Sequence, residues 1–461
     1  MPICDFKMNV CPIDYRYGRA EMLSLFEEGA RLGAMLKVEA ALAQSQSKYG
    51  IIPKEAAKDI EKAVTGGKVK AETVREIEKD IGHDVMAVVK ALSDVAGRGA
   101  PYVHFGATSN DIIDTSTALQ LRDALRIIKS DIVDLETVIA DRALAEKDTI
   151  MLGRTHGQAA LPITFGFKLS VYLLELDRQL ERIDECEKRV VVGKMSGAVG
   201  TGASFGKSFF SIQEDIMERL GISLEQASGQ IVGRDRYAEM VGVLSNAVTT
   251  CERMATEVRN LQRTEIDEVE EYFDSSRQVG SSTMAQKRNP VKAENVCGLA
   301  RIVRAFVTPS FENMILWHER DLTNSSAERI IIPHVLVLTD DILTKTRDIF
   351  ANLQLKRENM ARNLERAKGL IMAERVMLHL AEKMGRQEAH EAVRNAAMKS
   401  VEGSISFREV LLSAENIASA ISPEELDKLL DATTYTGHAA EITERAVKQI
   451  KNMRALHTAP T

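Results

Sequence analysis

Apolar residues recur at three- and four-residue steps over long stretches of this chain. Between Ala107 and Leu152, Leu121, Leu125, Ile128, Ile132, Leu135 and Ile139 keep that spacing, and neither glycine nor proline interrupts them. That is the repeat of one helix face. A helix over most of the run reaches about 50 to 65 Å at ~1.5 Å per residue. Similar runs extend from Val243 to Val279, from Ser310 to Ile332 and from His334 to Lys368. Helices this long cannot bury their apolar stripes inside one small monomer, so they are expected to pack along one another as a bundle, and between subunits as well. Alternating strand patterns with hairpin signals are nearly absent, which predicts an all-α class. No repeat of fixed period stands out.

Punctuation divides the chain further. Up to Asp111 the text is broken by "YGIIP", "TGG" and "AGRGAP", and after Asn363 short segments return. Three domains are expected: an amino-terminal helical domain over 1–111, a central long-helix bundle over 112–363, and a carboxy-terminal helical domain over 364–461.

Composition narrows the function classes. The 461 residues are 44% hydrophobic and 28% charged, as in a soluble globular protein, and the formal charge of -7 argues against a general binder of nucleic acid or anionic membrane. Five cysteines are scattered with no Cys-x-x-Cys pair, which favours a reduced, cytoplasmic setting over disulfides or a zinc site. The start "MPICDFKMNV" has no apolar signal region, and no stretch approaches eighteen apolar residues, so neither a signal peptide nor a membrane span is expected.

Four segments place polar residues where no helix needs them. In "GHDVMAVVKAL", Asp84 reads as a helix N-cap and His83 as a surface residue. In "VHFGATSND", His104 to Asp111, the hydroxyl-rich helix start offers N–H groups, with Thr108 and Ser109, to a carboxylate or phosphate. In "GRTHGQAALPITFG", Thr155, His156 and Gln158 lie in a turn where nothing local fixes a histidine pKa. In "GSSTMAQKRNP", Gly280 to Pro290, a glycine-serine turn precedes Lys287, Arg288 and Asn289, and a helix with Pro290 near its first turn anchors the far end. Such loops act as lids. The glycine-rich "GKMSGAVGTGASFGKS", Gly193 to Ser208, fails the phosphate-loop pattern because Thr201 stands where the first glycine belongs, so it reads as a turn between helices.

Taken together, these segments resemble a known superfamily. "GSSTMAQKRNP" resembles the signature loop Gly-Ser-Ser-x-Met-Pro-x-Lys-x-Asn-Pro of the fumarase, aspartase and argininosuccinate lyase superfamily, and "TSND" and "RTHGQAALP" resemble its other active-site regions in the expected order. "RYG" at Arg16 to Gly18, "GHDVMA" and "WHERDLTNSSAERIIIP" resemble the adenylosuccinate lyase family in particular. The resemblance extends over essentially the whole chain.

That resemblance implies a β-elimination releasing fumarate, from adenylosuccinate and from the succinylcarboxamide ribotide of purine synthesis, with no metal and no organic cofactor. By analogy Ser282 is the base and His156 the acid that protonates the departing nitrogen. Lys287 and Asn289 stabilise the second negative charge that forms on the substrate carboxylate. Arg16, Tyr17, His83, Asp84, His104, Thr108, Ser109, Thr155, Gln230, Arg320, Ser325 and Arg329 are implied in substrate binding, in a homotetramer whose helical core carries sites shared between subunits. An alcohol is a poor base at neutral pH, so Ser282 requires the field of Lys287 and the turn's N–H groups in a closed loop. One departure stands out: Ala285 replaces the loop's usual proline, which removes a rigid φ constraint without deleting a reacting group. The alternatives are another superfamily lyase or cycloisomerase, and a non-enzymatic helical scaffold. A scaffold has no reason to hold His156, Ser282, Lys287 and Asn289 together.

Overall fold

The computed structural model describes residues 11–274, 283–284 and 286–457. Helices dominate them, as expected. The longest, Ser109–Ala145, has 37 residues, about 55 Å of helix. Every position of its expected stripe from Leu121 to Ile139 is buried. Its start is capped from within: the Asp111 carboxylate reaches back to the Thr108 N–H at 2.9 Å, half of a capping box.

The helix stops seven residues before the apolar run does. Ile150–Thr155 (β1) and Gln158–Thr164 (β2) form an antiparallel hairpin instead. The apolar run Ile150-Met151-Leu152 suits a strand as well as a helix. What decides is the turn, where His156 (φ 53°) and Gly157 (φ 73°) supply the two positive φ values a two-residue hairpin needs. Two shorter pairings follow: Val192–Gly193 (β3) runs parallel to Ser223–Leu224 (β4), and Val269–Glu270 (β5) runs antiparallel to Gln354–Leu355 (β6). The other long runs also end early. The helix Asp235–Leu261 gives way to β5, and Thr323–Asn352 continues through Pro333 and then yields to a separate helix, Arg357–Arg366.

The chain divides into two compact units, one of Met1–Val133, Arg178–Glu252 and Val296–Thr344, the other of Asp134–Asp177, Arg253–Asn295 and Lys345–Thr461. In the first, Val38, Leu42, Ile60, Val85 and Leu92 pack with Ile112, Phe205 and Ile216. In the second, Val376, Leu380, Phe407, Leu411 and Leu426 form a core drawn only from residues beyond Asn363. Among the described residues no helix is long and apolar enough to cross a membrane.

Candidate active site

In the first unit, residues 12–19 form a strap along the helix Thr323–Asn352. The N–H groups of Arg16 and Tyr17 both close on the Pro12 carbonyl, at 2.8 and 3.2 Å, and the Arg16 guanidinium stands 6.0 Å over the Tyr17 ring. Gly18 donates to Asp341 at 3.2 Å. Its φ is 88°, and a Cβ there would lie 2.5 Å from Val337, so only glycine permits this approach. Arg19 then forks onto Asp131, at 2.7 and 2.8 Å, and onto Asp340. Burial, then the neighbouring Asp340, push the Asp131 carboxyl up to about 8 against the pull of Arg19.

His83, not Asp84, is the N-cap of the helix Asp84–Ser93: its Nδ1 accepts from the Met86 N–H at 3.3 Å. This corrects the sequence expectation: Asp84 Oδ1 accepts from the adjacent Val85 N–H, at 2.8 Å, and Oδ2 is turned to an ion pair. Asp84 pairs with Arg329 at 2.8 Å and lies 3.9 Å from Arg31. Burial, then the like charge of Arg329, lower the Arg31 pKa. Arg320 donates to Gln230 at 3.1 Å. Four of the expected binding residues thus meet as two pairs, Asp84–Arg329 and Gln230–Arg320.

A cavity of about 160 Å³ is lined by Arg31, Asn110, Arg320, Asn324, Ser325 and Arg329 among others. Arg234 lines it too, paired with Asp114 and Glu328 of the same wall at 2.9 and 2.8 Å. Four guanidinium groups, Arg31, Arg234, Arg320 and Arg329, thus face this cavity against the carboxylates of Asp114 and Glu328, with Asp84 paired to Arg329, a wall suited to an anion. Among the described residues no partner reaches the buried Arg320 Nε or Asn324 Oδ1, and a polar ligand would supply one. Sequence reasoning did not single out Arg31 or Asn324. Both look like ordinary helix residues until their distant neighbours are known.

At the start of the longest helix, the His104 N–H and Nδ1 both bond to Glu39, at 3.1 and 2.7 Å, with the backbone held at φ 61°. Thr108 and Ser109 stand just beyond. The Thr108 N–H is already taken by Asp111, so it is not free for an anion as expected, and the Thr108 and Ser109 hydroxyls remain the candidates. Asp111 also accepts from the buried Lys194 and from the Ser196 and Gly197 N–H groups. The glycine-rich stretch therefore buttresses this turn, consistent with its reading as a turn rather than a phosphate loop.

In the second unit, Thr155 and His156 occupy the exposed tip of the β1–β2 hairpin. Behind the tip, Arg154 forks onto the fully buried Glu268 at 2.6 and 3.0 Å. Lys287 is exposed, with its N–H on the Met284 carbonyl at 3.0 Å. The Asn289 carbonyl accepts from Val291 at 2.9 Å. Arg288, about half exposed, pairs with Glu270 at 2.7 Å and stands over the Phe273 ring. The Glu271 carboxylate takes the Lys292 and Ala293 N–H groups, at 3.0 and 2.9 Å, and so caps the helix Val291–Ala305. Ser282 and Ala285 lie outside the described residues. Among those described, no group of three or more His, Cys, Asp or Glu side chains could hold a metal ion.

A family model described as "Lyase" matches residues 15–305, and one described as "Adenylosuccinate lyase C-terminus" matches 369–446. The chain is 46% identical over 450 residues to the adenylosuccinate lyase of Methanocaldococcus jannaschii, covering 97% of each. It is 48% identical over 447 residues to that of Pyrococcus abyssi, covering 97% of this chain and 99% of that one. Among solved structures it resembles a fumarate lyase from Mesorhizobium sp. BNC1, at TM-score 0.87 and 32% identity over 94% of this chain and 98% of that one. It also resembles the 3-carboxy-cis,cis-muconate lactonizing enzyme of Pseudomonas putida, at TM-score 0.87 and 32% identity over 96% and 99%. This all-α chain belongs to the adenylosuccinate lyase family of lyases.

Proposed function

We propose that the protein cleaves adenylosuccinate to AMP and fumarate in the cytoplasm, and releases fumarate likewise from succinylaminoimidazole carboxamide ribotide in purine biosynthesis. The observation that carries the reading is the cavity walled by Arg31, Arg320 and Arg329 with Ser325, which suits the phosphate or a carboxylate of such a substrate. Arg16, Tyr17, His83, Asp84, His104, Thr108, Ser109, Thr155 and Gln230 complete the binding set. Ser282 removes the proton from the carbon next to a carboxylate, and the electron pair left behind forms the double bond as the C–N bond breaks. His156 protonates the departing nitrogen, while Lys287 and Asn289 hold the extra charge on the carboxylate. No cofactor takes part.

Solved relatives at the same TM-score carry other names, among them the muconate lactonizing enzyme, so a different fumarate-releasing lyase or a cycloisomerase is the second reading. The match to the adenylosuccinate lyase carboxy-terminal model weighs against it. Steady-state turnover of adenylosuccinate by wild type, His156→Ala and Ser282→Ala tests the assignment. Each replacement should lower kcat by roughly 10²-fold or more, the usual contribution of a general acid or base, with the fold intact. A Ser282→Ala variant near full turnover would contradict the serine base.

A further inference from the structure

The tip of the hairpin that carries His156 is weakly held by its own strands. Between the pairs Leu152↔Pro162 and Arg154↔Ala159 the register slips, so Ala160 and Leu161 together face the single Gly153. Such a bulge bends a hairpin and re-aims what lies beyond it. Only two residue pairs, Arg154↔Ala159 and Thr155↔Gln158, connect the strands past that point. Residues 155–159 are all exposed, so no apolar packing fixes the tip.

What ties the tip to its surroundings is Arg154 of β1. Its two terminal nitrogens donate to the two Glu268 oxygens at 2.6 and 3.0 Å, and one of them also donates to the Leu152 carbonyl at 3.3 Å. Glu268 is itself held, since Asn363 of the helix Arg357–Arg366 donates to it at 2.8 Å and to the Ile266 carbonyl at the same distance. A two-bond fork fixes direction as well as distance. A buried ion pair contributes little net stability compared with apolar packing of the same volume, so orientation is the better account of this one.

The segment that receives Arg154 also holds the other catalytic stretch. Two residues past Glu268, Glu270 pairs with Arg288 at 2.7 Å and with Lys356 at 2.7 Å. The next residue, Glu271, caps the helix that follows Asn289. Residues 268–271 therefore anchor both the His156 hairpin and the far end of the Lys287–Asn289 stretch. We propose that Arg154 is a positioning residue for His156, holding the hairpin tip in its working orientation through the ion pair with Glu268. The inference rests on the reading of His156 as the acid.

The test uses the full chain with adenylosuccinate as substrate and compares wild type, Arg154→Met, Arg154→Lys, His156→Ala and the double variant Arg154→Met/His156→Ala. Arg154→Met should lower kcat by about 10-fold or more, as a displaced catalytic group does, with KM changed less than about 3-fold on the same scale. Arg154→Lys should recover part of the loss, and Arg154→Met should add nothing to His156→Ala. If Arg154→Met fails to fold, Glu268→Gln, which keeps the side-chain shape and the Asn363 bond, carries the same comparison. A folded Arg154→Met variant at wild-type kcat, beside an impaired His156→Ala, would overturn the positioning role alone. So would a loss of the same size in both backgrounds. A His156→Ala variant at wild-type kcat would overturn the acid reading and this proposal together.

Discussion

His104 shows how much one residue can carry. Its backbone sits in the left-handed region, where side chains other than glycine are uncommon, and both its N–H and its ring bond to Glu39. Burial lowers the ring pKa, but the Glu39 hydrogen bond and charge, helped by Asp111, outweigh it and leave the value raised. A raised pKa means that the native state holds the proton more tightly than the unfolded chain. The stabilisation is thus complete below about pH 6.5, the unfolded value, and is lost as pH rises through the folded one. Glu39→Gln should therefore cost roughly 1–3 kcal/mol at pH 6, and thermal melts should show the gap from wild type narrowing by pH 9. An equal gap at both values would contradict a charged His104. The sequence marked His104 as a candidate but could not supply Glu39, which lies 65 residues away. Arg31, Arg154 and Glu268 went unremarked for the same reason, since each gains meaning only from a partner distant in the chain.

Elements were more legible than their ends. Three- and four-residue spacing identified the long helices because a core-facing stripe repeats many times over 20 to 37 residues. It misread Ile150-Met151-Leu152, where three apolar residues fit either periodicity and the His156–Gly157 turn decides. It also treated Pro333 as a break, although the helix Thr323–Asn352 passes through it, because the packing of a long helix outweighs one lost N–H. The helix Val291–Ala305 takes its cap from Glu271, across a loop. Glu271→Ala should cost about 1–2 kcal/mol, as losing a cap does, and should lower kcat through the Lys287–Asn289 stretch that this helix terminates. Full activity with reduced stability would confine Glu271 to a structural role.

At the scale of the molecule, the first unit exposes Phe311, Met314, Ile315, Trp317 and Leu322 within twelve residues, with Ile315 at 79% and Trp317 at 77%. Exposed apolar side chains of this kind suit association between chains, and we propose that the protein is the homotetramer implied by its resemblance. Sedimentation should give four chain masses for the active species, and an active monomer would contradict shared sites. The division into three domains at 111 and 363 is likewise our proposal. The carboxy-terminal core from Val376 to Leu426 favours its second boundary. The chemistry itself is tested by incubating the purified protein with adenylosuccinate, without added metal, and quantifying AMP and fumarate together. The account predicts equal amounts of both, formed catalytically. A folded protein that leaves adenylosuccinate intact would contradict it.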